Sequence, residues 1–545
     1  MNFVRPSLVA LALASTTAAQ AQVCSASALS TELQYLRRLS LDLKGSAPGL
    51  AELEQVVQRS AVEPEAIDTM LAPAELKRLL RQHVRALVWG NLRVPLEQNF
   101  GLIRTEVARP GLPRSTALWI PNRSQFYRRV GGQPGPDRRP CYDDVPQADL
   151  GYDASGRPLT QLDAEGYARE GFELVRPYWE SDPTARVKVC AFEAQSALVA
   201  PNAPAASCAT HLSSYTQPGC GCGPQLAFCQ GSSPGGPGTA GQINAALIEQ
   251  ALRLADRIAD EGRPLSELLT ARELEVNGPL AHYLRHQTAT TTDFMSRGDL
   301  GFVVPQKAFT DPSWTRVTVT GRASGIVTTP FYLLKFASNR ARANRFFDAF
   351  TCTTLQAPPG GLPGANDPCS REPDLSKRCG CSSCHAALEP AAAAWGRYAE
   401  RGTFELKEAE FPDLDPTCVA DGGPVSARCN TYYRTTALHP AEQPWVGKLK
   451  GLLYLEGAGL QNFDQGPSRW ANDVVASGVF AQCTVRRFWE RLVGRPFNEE
   501  LPDERALLQQ LQADFIASGH DVRTLLRGIV TAGQYKHNEA PIGGL

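Results

Sequence analysis

The segment Cys381-Ser382-Ser383-Cys384-His385 decides how this chain is interpreted. The spacing Cys-x-x-Cys-His is the attachment pattern of c-type haem, in which two thiols bond to the porphyrin and the histidine ligates the iron. On one helical turn, a two-residue gap directs both sulfurs to the same side. The sequence therefore predicts one covalent haem c per chain, attached at Cys381 and Cys384, with His385 as the proximal ligand.

The same residues allow another interpretation, which the sequence leaves open. Cys379 lies two residues before Cys381, so the cluster from Cys379 to His385 could hold zinc or form disulfides in a secreted structural or binding protein without haem. The candidate disulfide partners of Cys379 are Cys369, Cys352 and Cys418.

The other cysteines indicate an oxidising compartment. Of the 15 cysteines, removal of the two candidate haem thiols leaves 13, so at least one is expected to be free or to pair between chains. Four of them crowd one segment, where exported proteins favour disulfides over zinc. These four are Cys208, Cys220, Cys222 and Cys229.

The N-terminus has the features of a secretory signal peptide. Arg5 supplies a positive charge, an apolar run extends from Leu8 to Ala14, and Ala19-Gln20-Ala21 is a small-x-small cleavage site. We therefore expect a periplasmic or secreted mature chain, and covalent haem attachment takes place in the same compartment. Lipid anchoring at Cys24 is an alternative that the poor lipobox before it disfavours.

Composition limits the expected partners. A formal charge of −1 leaves no basic surplus for nucleic-acid binding, and no later apolar stretch reaches the roughly 20 residues of a transmembrane helix. We expect a redox partner protein or a small redox substrate, and the sequence does not specify the oligomeric state.

Periodicity predicts a mainly α fold, with helical domains, a cytochrome c-like haem segment and a loop-rich insertion held by disulfides. Apolar residues recur at helical spacing through most of the chain, whereas prolines, glycines and cysteines crowd residues 100–241. The predicted divisions are a signal peptide (1–21), an N-terminal helical domain (22–99), the insertion (100–241), a second helical domain (242–351), the haem segment (352–403), an irregular connection (404–470) and a C-terminal helical domain (471–545).

Residues near the motif have structural interpretations as well. Trp395 is expected in the core, with packing against the porphyrin edge as the alternative. Pro390 suggests a helix kink or a new helix start, which Glu389 could cap. Arg378 or Arg397 could pair with a haem propionate, because a guanidinium matches carboxylate geometry.

Several other short stretches occur along this chain in the same order as similar stretches in a known family. They are Arg38–Gly45 with Pro48 and Glu52, Ile67-Asp68, Trp89-Gly90-Asn91, Leu268–Ala271, Val276–Ala281, Arg322–Pro330, the haem motif with Leu388-Glu389-Pro390, Trp395 and Gly402, Phe480–Cys483, and Val493–Arg495. Together they resemble the planctomycete-type cytochrome c-like family, and no stretch between about 100 and 235 matches it. The resemblance implies an exported, redox-active haem protein without a defined reaction.

The sixth iron ligand is not specified by the sequence. The family often has methionine three residues after the motif histidine, where this chain has Leu388. Met295, a histidine or an open five-coordinate iron remain, and axial ligation moves haem potential over roughly 0.8 V. The choice separates electron transfer from a peroxidase- or oxidase-like enzyme with an open distal site. The candidate histidines are His439, ranked first, and His282, His286, His520 and His537.

Overall fold

The structure is a computed structural model of the 545-residue chain. It describes residues 31–94, 96, 101–105, 118–121, 141–201, 203–208, 219–232, 238–287, 300–356, 361, 363–364, 366–400, 402–405 and 433–537. The signal-peptide prediction, Cys24 and Met295 lie outside these ranges. The chain forms two compact units, the first of residues 1–86, 255–266 and 478–545 and the second of residues 87–254 and 267–477.

The described part of the first unit is helical. Its elements are 31–39 with a π-helical continuation Ser40–Lys44, then Leu50–Arg59, Pro64–Met70, most of Pro73–Leu87, Val479–Val493, Pro502–Ala517, Val522–Thr531 and Gly533–His537. Hydrogen bonds within this unit join residues that are far apart in the sequence. The Tyr35 hydroxyl donates to the Val530 carbonyl at 2.9 Å, and the Tyr535 hydroxyl donates to Asp42 at 2.7 Å.

The second unit contains the β-structure. Its strands are β1 (Gly101–Thr105), β2 (Leu118–Pro121), β3 (Cys141–Pro146), β4 (Gln161–Leu162), β5 (Ala168–Val175), β6 (Val187–Cys190), β7 (Val199–Ala200), β8 (Ala203–Ser207), β9 (Gln230–Ser232), β10 (Glu273–Val276) and β11 (Thr315–Thr318). A mixed seven-stranded sheet has the order β3-β5-β6-β2-β1-β9, with β4 paired to β5. Strands β7 and β8 form one two-stranded sheet, and β10 and β11 form another.

The prediction of a mainly α fold is therefore wrong. Helices still hold more residues than strands, but residues 100–241, predicted as a loop-rich insertion, supply every strand of the seven-stranded sheet. The pairings of β1 with β9, β2 with β6 and β3 with β5 are parallel and join segments far apart in sequence. Local periodicity does not reveal such pairings, and the prolines and glycines between short strands favoured the loop interpretation.

The prediction that disulfides hold this region together is confirmed. Cys141 at the start of β3 is bonded to Cys190 at the end of β6, and β5 lies between these two strands. The four crowded cysteines form disulfides and do not form a zinc site. Their pairs are Cys208–Cys220 and Cys222–Cys229.

The second unit also contains helices. They are Gln147–Leu150, Ala191–Ala194, most of Gly238–Glu261, Glu267–Thr270, Gly278–His282, Pro330–Lys335, Asn339–Phe346, Ser382–Ala392 and Ala458–Ala476. We call Ser382–Ala392 the motif helix and Asn339–Phe346 the arginine helix. In the described part of the chain, no helix is long and apolar enough to cross a bilayer.

Buried polar contacts fix the arginine helix and the residues that follow the motif helix. The fully buried Arg342 guanidinium donates to the carbonyl oxygens of Leu333 and Ala399, each at 2.9 Å. Burial lowers the pKa of Arg342 to about 10. The indole of Trp395, also fully buried, donates to the Val327 carbonyl at 3.1 Å, so Trp395 is a core residue as predicted.

A buried histidine makes the stability of the first unit pH-dependent. His83 stacks on Phe488 with ring centroids 4.3 Å apart. Burial, assisted by the charges of Arg491 and Arg487, lowers the pKa of His83 to about 3. The native state therefore keeps this imidazole neutral at pH values where an exposed histidine is protonated.

We predict that this histidine weakens the fold in acid. An unfolded histidine titrates near 6.5, so below that pH the unfolded state binds a proton that the native state excludes, and stability falls as pH drops toward 3. Between pH 7 and 4.5 the contribution is about 2–3 kcal/mol. Urea unfolding of His83→Phe, which keeps an aromatic stack, should show a smaller acid loss than the wild type. Equal losses in both chains would contradict the prediction.

Candidate functional site

The motif lies at the start of the motif helix. Cys381 directly precedes this helix, and Cys384 and His385 belong to its first turn. The His385 amide donates to the Cys381 carbonyl at 2.9 Å, so the turn between them is helical. Gly380 has a φ of +73°, a left-handed conformation that glycine adopts without strain, and this allows the chain to turn between Cys379 and Cys381.

The two motif cysteines are thiols, whereas the other described cysteines are oxidised. Cys369 is bonded to Cys379, with Cα atoms 5.6 Å apart, which confirms one of the predicted partners of Cys379. Among the described cysteines, ten are in disulfides and two, Cys381 and Cys384, are free and half-buried. Cys418 and Cys429 lie outside the described residues.

A carboxylate on the next turn holds the imidazole of His385. Nδ1 of His385 lies 2.5 Å from Oε1 of Glu389, and each side chain is 23% exposed. The same Oε1 accepts a hydrogen bond from Nε of Arg340 at 2.8 Å. A neutral imidazole that donates from Nδ1 to a carboxylate presents its Nε2 lone pair for metal ligation. The motif histidine thus has one nitrogen engaged and the other available.

A cavity of about 800 Å³ adjoins the motif helix. This volume is within the range of about 300–1,000 Å³ that is usual for ligand sites. The motif helix contributes Ala386, Glu389, Pro390 and Ala392 to its wall. The cysteines and His385 do not line the cavity themselves, and Glu389 is the side chain that joins the histidine to it.

The rest of the cavity wall combines apolar and charged groups. Apolar surface comes from Pro373, Leu375, Leu449, Leu453 and Leu455. Positive charge comes from Arg340, Lys377, Arg434 and Lys450, and negative charge comes from Asp374, Glu389, Glu400, Glu442 and Glu456. Arg434 forms an ion pair with Glu442. Burial alone would raise the pKa of Glu442, but hydrogen bonds from Arg434 and the Leu438 amide outweigh it and lower the pKa. Burial lowers the pKa of Lys450.

The two arginines named as possible propionate partners contact other parts of the protein. Arg397 packs over the Phe463 ring at 4.8 Å, and Arg378 donates from Nε to the Glu372 carbonyl. Neither arginine lines the cavity. Pro390 does not end the motif helix, because the helix continues to Ala392.

The structure places the described distal-ligand candidates away from the cavity wall. His439 is exposed, and its Nδ1 accepts a hydrogen bond from the Ala441 amide at 3.1 Å. Buried His282 stacks on Tyr178 and has Nε2 within 2.9 Å of the Ala227 carbonyl, with His286 beside it. His520 belongs to the first unit. The side chain of His537, like Met295, lies outside the described part, and no described residue of the cavity wall is a methionine or histidine.

The donor atoms of the motif do not converge as zinc ligands would. Among the described residues, the clusters that bring three candidate ligand atoms within 4.8 Å of one another are Cys141, Glu170 and Cys190, and Asp367, Cys369 and Cys379. In both clusters the sulfurs are joined to each other. Cys381, Cys384 and His385 do not form such a cluster in this part of the chain.

The donor set therefore fits a c-type haem. Thioether attachment needs two separate reduced thiols and an imidazole with a free Nε2, and the motif supplies these groups on one helical turn. Sequence reasoning missed the role of Glu389 as the partner of His385, although the four-residue spacing on a helix was a usable signal. The sequence contained no comparable spacing that would place Arg434 and Lys450 in the cavity wall.

Comparisons of the chain with protein-family profiles, with curated proteins and with solved structures found no match.

We predict that thiol mapping separates the cysteines into two classes. In the haem-free chain, iodoacetamide should label Cys381 and Cys384, and Cys369 and Cys379 should be recovered as one linked peptide. In Cys369→Ser the freed Cys379 thiol lies two residues from Cys381, so mixed pairing should reduce labelling of the motif. The control is Cys369→Ser with Cys379→Ser, which should keep two reactive thiols. A linked Cys381–Cys384 peptide in the wild type would contradict the prediction.

Proposed function

We propose that this chain is an exported c-type haem protein that transfers electrons. One observation carries the proposal: among described cysteines that are otherwise oxidised, Cys381 and Cys384 remain thiols beside a histidine with an available Nε2. In an oxidising compartment, two thiols one helical turn apart are expected to form a disulfide unless another bond uses them. Thioether bonds to haem are the modification that this spacing favours.

Each residue of the site has a separate task in this proposal. Cys381 and Cys384 would hold the porphyrin covalently, and Nε2 of His385 would bind its iron. Bound haem would supply a one-electron iron couple whose potential the axial ligands set. Lys450 in the cavity wall would offer positive charge to a propionate, whereas Arg434 is already paired with Glu442. The buried contacts of Arg342 restrict rearrangement near the motif helix between oxidation states.

The disulfides also support the proposed compartment. Bonds such as Cys141–Cys190 persist in oxidising surroundings, as expected for a periplasmic or secreted chain. The partner would be a redox protein or a small redox molecule. The family resemblance agrees with the proposal, and its stretch Leu388-Glu389-Pro390 lies on the motif helix.

We predict covalent haem when the chain is produced with the cytochrome c maturation machinery. The denatured wild type should carry the mass of one haem and give a pyridine haemochrome spectrum. Cys381→Ser and Cys384→Ser should each retain at most one thioether bond, and the double variant should retain none. The control Cys369→Ser with Cys379→Ser removes two cysteines outside the motif and should keep covalent haem. A wild-type chain without bound haem would refute the proposed function.

The described cavity wall favours a second candidate function. No described residue of this wall is a methionine or histidine, so the wall would offer neither ligand to the distal side of a haem. A haem with an open distal side could turn over peroxide or oxygen as a peroxidase- or oxidase-like enzyme.

Spectra distinguish the two candidates. For electron transfer we predict a low-spin ferric protein whose absorption does not change with carbon monoxide after reduction or with peroxide before it. A high-spin spectrum that responds to both ligands would favour the enzyme. The variants His439→Gln and Met295→Leu identify the distal residue, because only loss of the true ligand should convert a low-spin spectrum to a high-spin one.

A further inference from the structure

The contact between His385 and Glu389 has a third member. Oε1 of Glu389 lies 2.5 Å from Nδ1 of His385 and 2.8 Å from Nε of Arg340. His385 and Glu389 are on the motif helix, and Arg340 comes from the arginine helix, which packs against it. The Arg340 side chain is 54% exposed, whereas the other two are each 23% exposed. One carboxylate oxygen therefore serves both an imidazole and a guanidinium.

This arrangement affects the nitrogen that is available for iron. A carboxylate that accepts from Nδ1 fixes the tautomer and the ring orientation and makes Nε2 a stronger electron donor. A guanidinium on the same oxygen withdraws part of the negative charge from the imidazole. Glu389 and Arg340 thus act on His385 in opposite directions, and Arg340 acts through Glu389.

We propose that Glu389 is a positioning residue that lowers the reduction potential of the haem by acting on His385, and that Arg340 limits this effect. The inference rests on the proposed function. Stronger donation from a proximal imidazole stabilises the ferric state, because that state carries the larger positive charge. Removal of Glu389 should therefore raise the potential, and removal of Arg340 should lower it.

The test is a spectroelectrochemical titration of haem-loaded, full-length variants. In Glu389→Gln the equilibrium constant for reduction should rise about tenfold, which is about 59 mV for a one-electron couple. In Arg340→Gln it should fall. The matched control is Glu456→Gln, which removes the same charge from the cavity wall at an exposed residue that does not contact His385. The control should shift the potential less than Glu389→Gln does.

A double variant distinguishes an effect of Arg340 that passes through Glu389 from independent effects of the two charges on the iron. If Arg340 acts through Glu389, Arg340→Gln should have little effect on the potential once Glu389→Gln is present. If each charge acts on the iron independently, the two shifts should add. Additive shifts, or a Glu389→Gln shift no larger than that of the Glu456→Gln control, would overturn the proposal. Haem content and thermal unfolding of each variant show whether attachment and folding are retained.

A measurement without haem tests the geometry alone. In the full-length chain with Cys381→Ser and Cys384→Ser, ¹⁵N NMR of labelled histidines should show His385 protonated at Nδ1 as a single tautomer. Adding Glu389→Gln should give a tautomer mixture, and a mixture already present before that change would overturn the positioning role. If the wild type never acquires haem, the proposed function fails while this spectrum still decides whether Glu389 orients His385.

Discussion

The disulfide between Cys369 and Cys379 is the constraint that keeps a third thiol out of the candidate site. It closes the loop that leads to the motif and ends two residues before Cys381. It also removes a third thiol from the neighbourhood of the two that remain reduced. With Cys379 bonded and Gly380 in a left-handed conformation, the chain enters the motif helix at Cys381. The disulfide that precedes the motif helix therefore leaves Cys381 and Cys384 as the free thiols of this segment.

The motif helix is positioned by contacts at its far end and along its side. The Asn462 amide donates to the Pro390 carbonyl at 2.9 Å, and Trp395 is anchored to the Val327 carbonyl. Arg342 binds the Ala399 carbonyl from the arginine helix. A site supported by buried, hydrogen-bonded residues holds its geometry better than one on an exposed loop. The reactive turn is thus the accessible end of a helix whose other end is fixed in the core.

The sequence predicted local features better than the sheet, because local features depend on residues that are close in sequence. The helical turn at the motif depends on neighbours in sequence, and Cys369, which is bonded to Cys379, was one of three candidate partners. Strands β1 and β9 pair in parallel across a long stretch of chain, and nothing local in either segment marks the other. The cavity wall likewise brings Arg434 and Lys450 to a helix they do not neighbour in sequence. The pair His385–Glu389 was predictable in principle, since four residues on a helix bring side chains together.

The geometry of the motif also bears on the choice between the haem and the zinc interpretations. A zinc ion needs its ligands to converge on one point, and structural sites use four of them. In the described part of the chain, Cys381, Cys384 and His385 do not bring their donor atoms together within 4.8 Å. Cys379, which could have completed a set of four, is bonded to Cys369, and Glu389 is hydrogen-bonded to the imidazole.

Haem attachment makes a different demand on these side chains. The two thiols bond to separate vinyl groups and the imidazole reaches the iron, so the three groups need to share one side of a helix without converging on a single atom. A turn that keeps its donor atoms apart and both thiols reduced meets the requirement for haem attachment. It does not meet the requirement of a tetrahedral zinc site, whose ligands converge on one ion. The separation of these donor atoms is therefore one reason why we propose haem and not zinc at this turn.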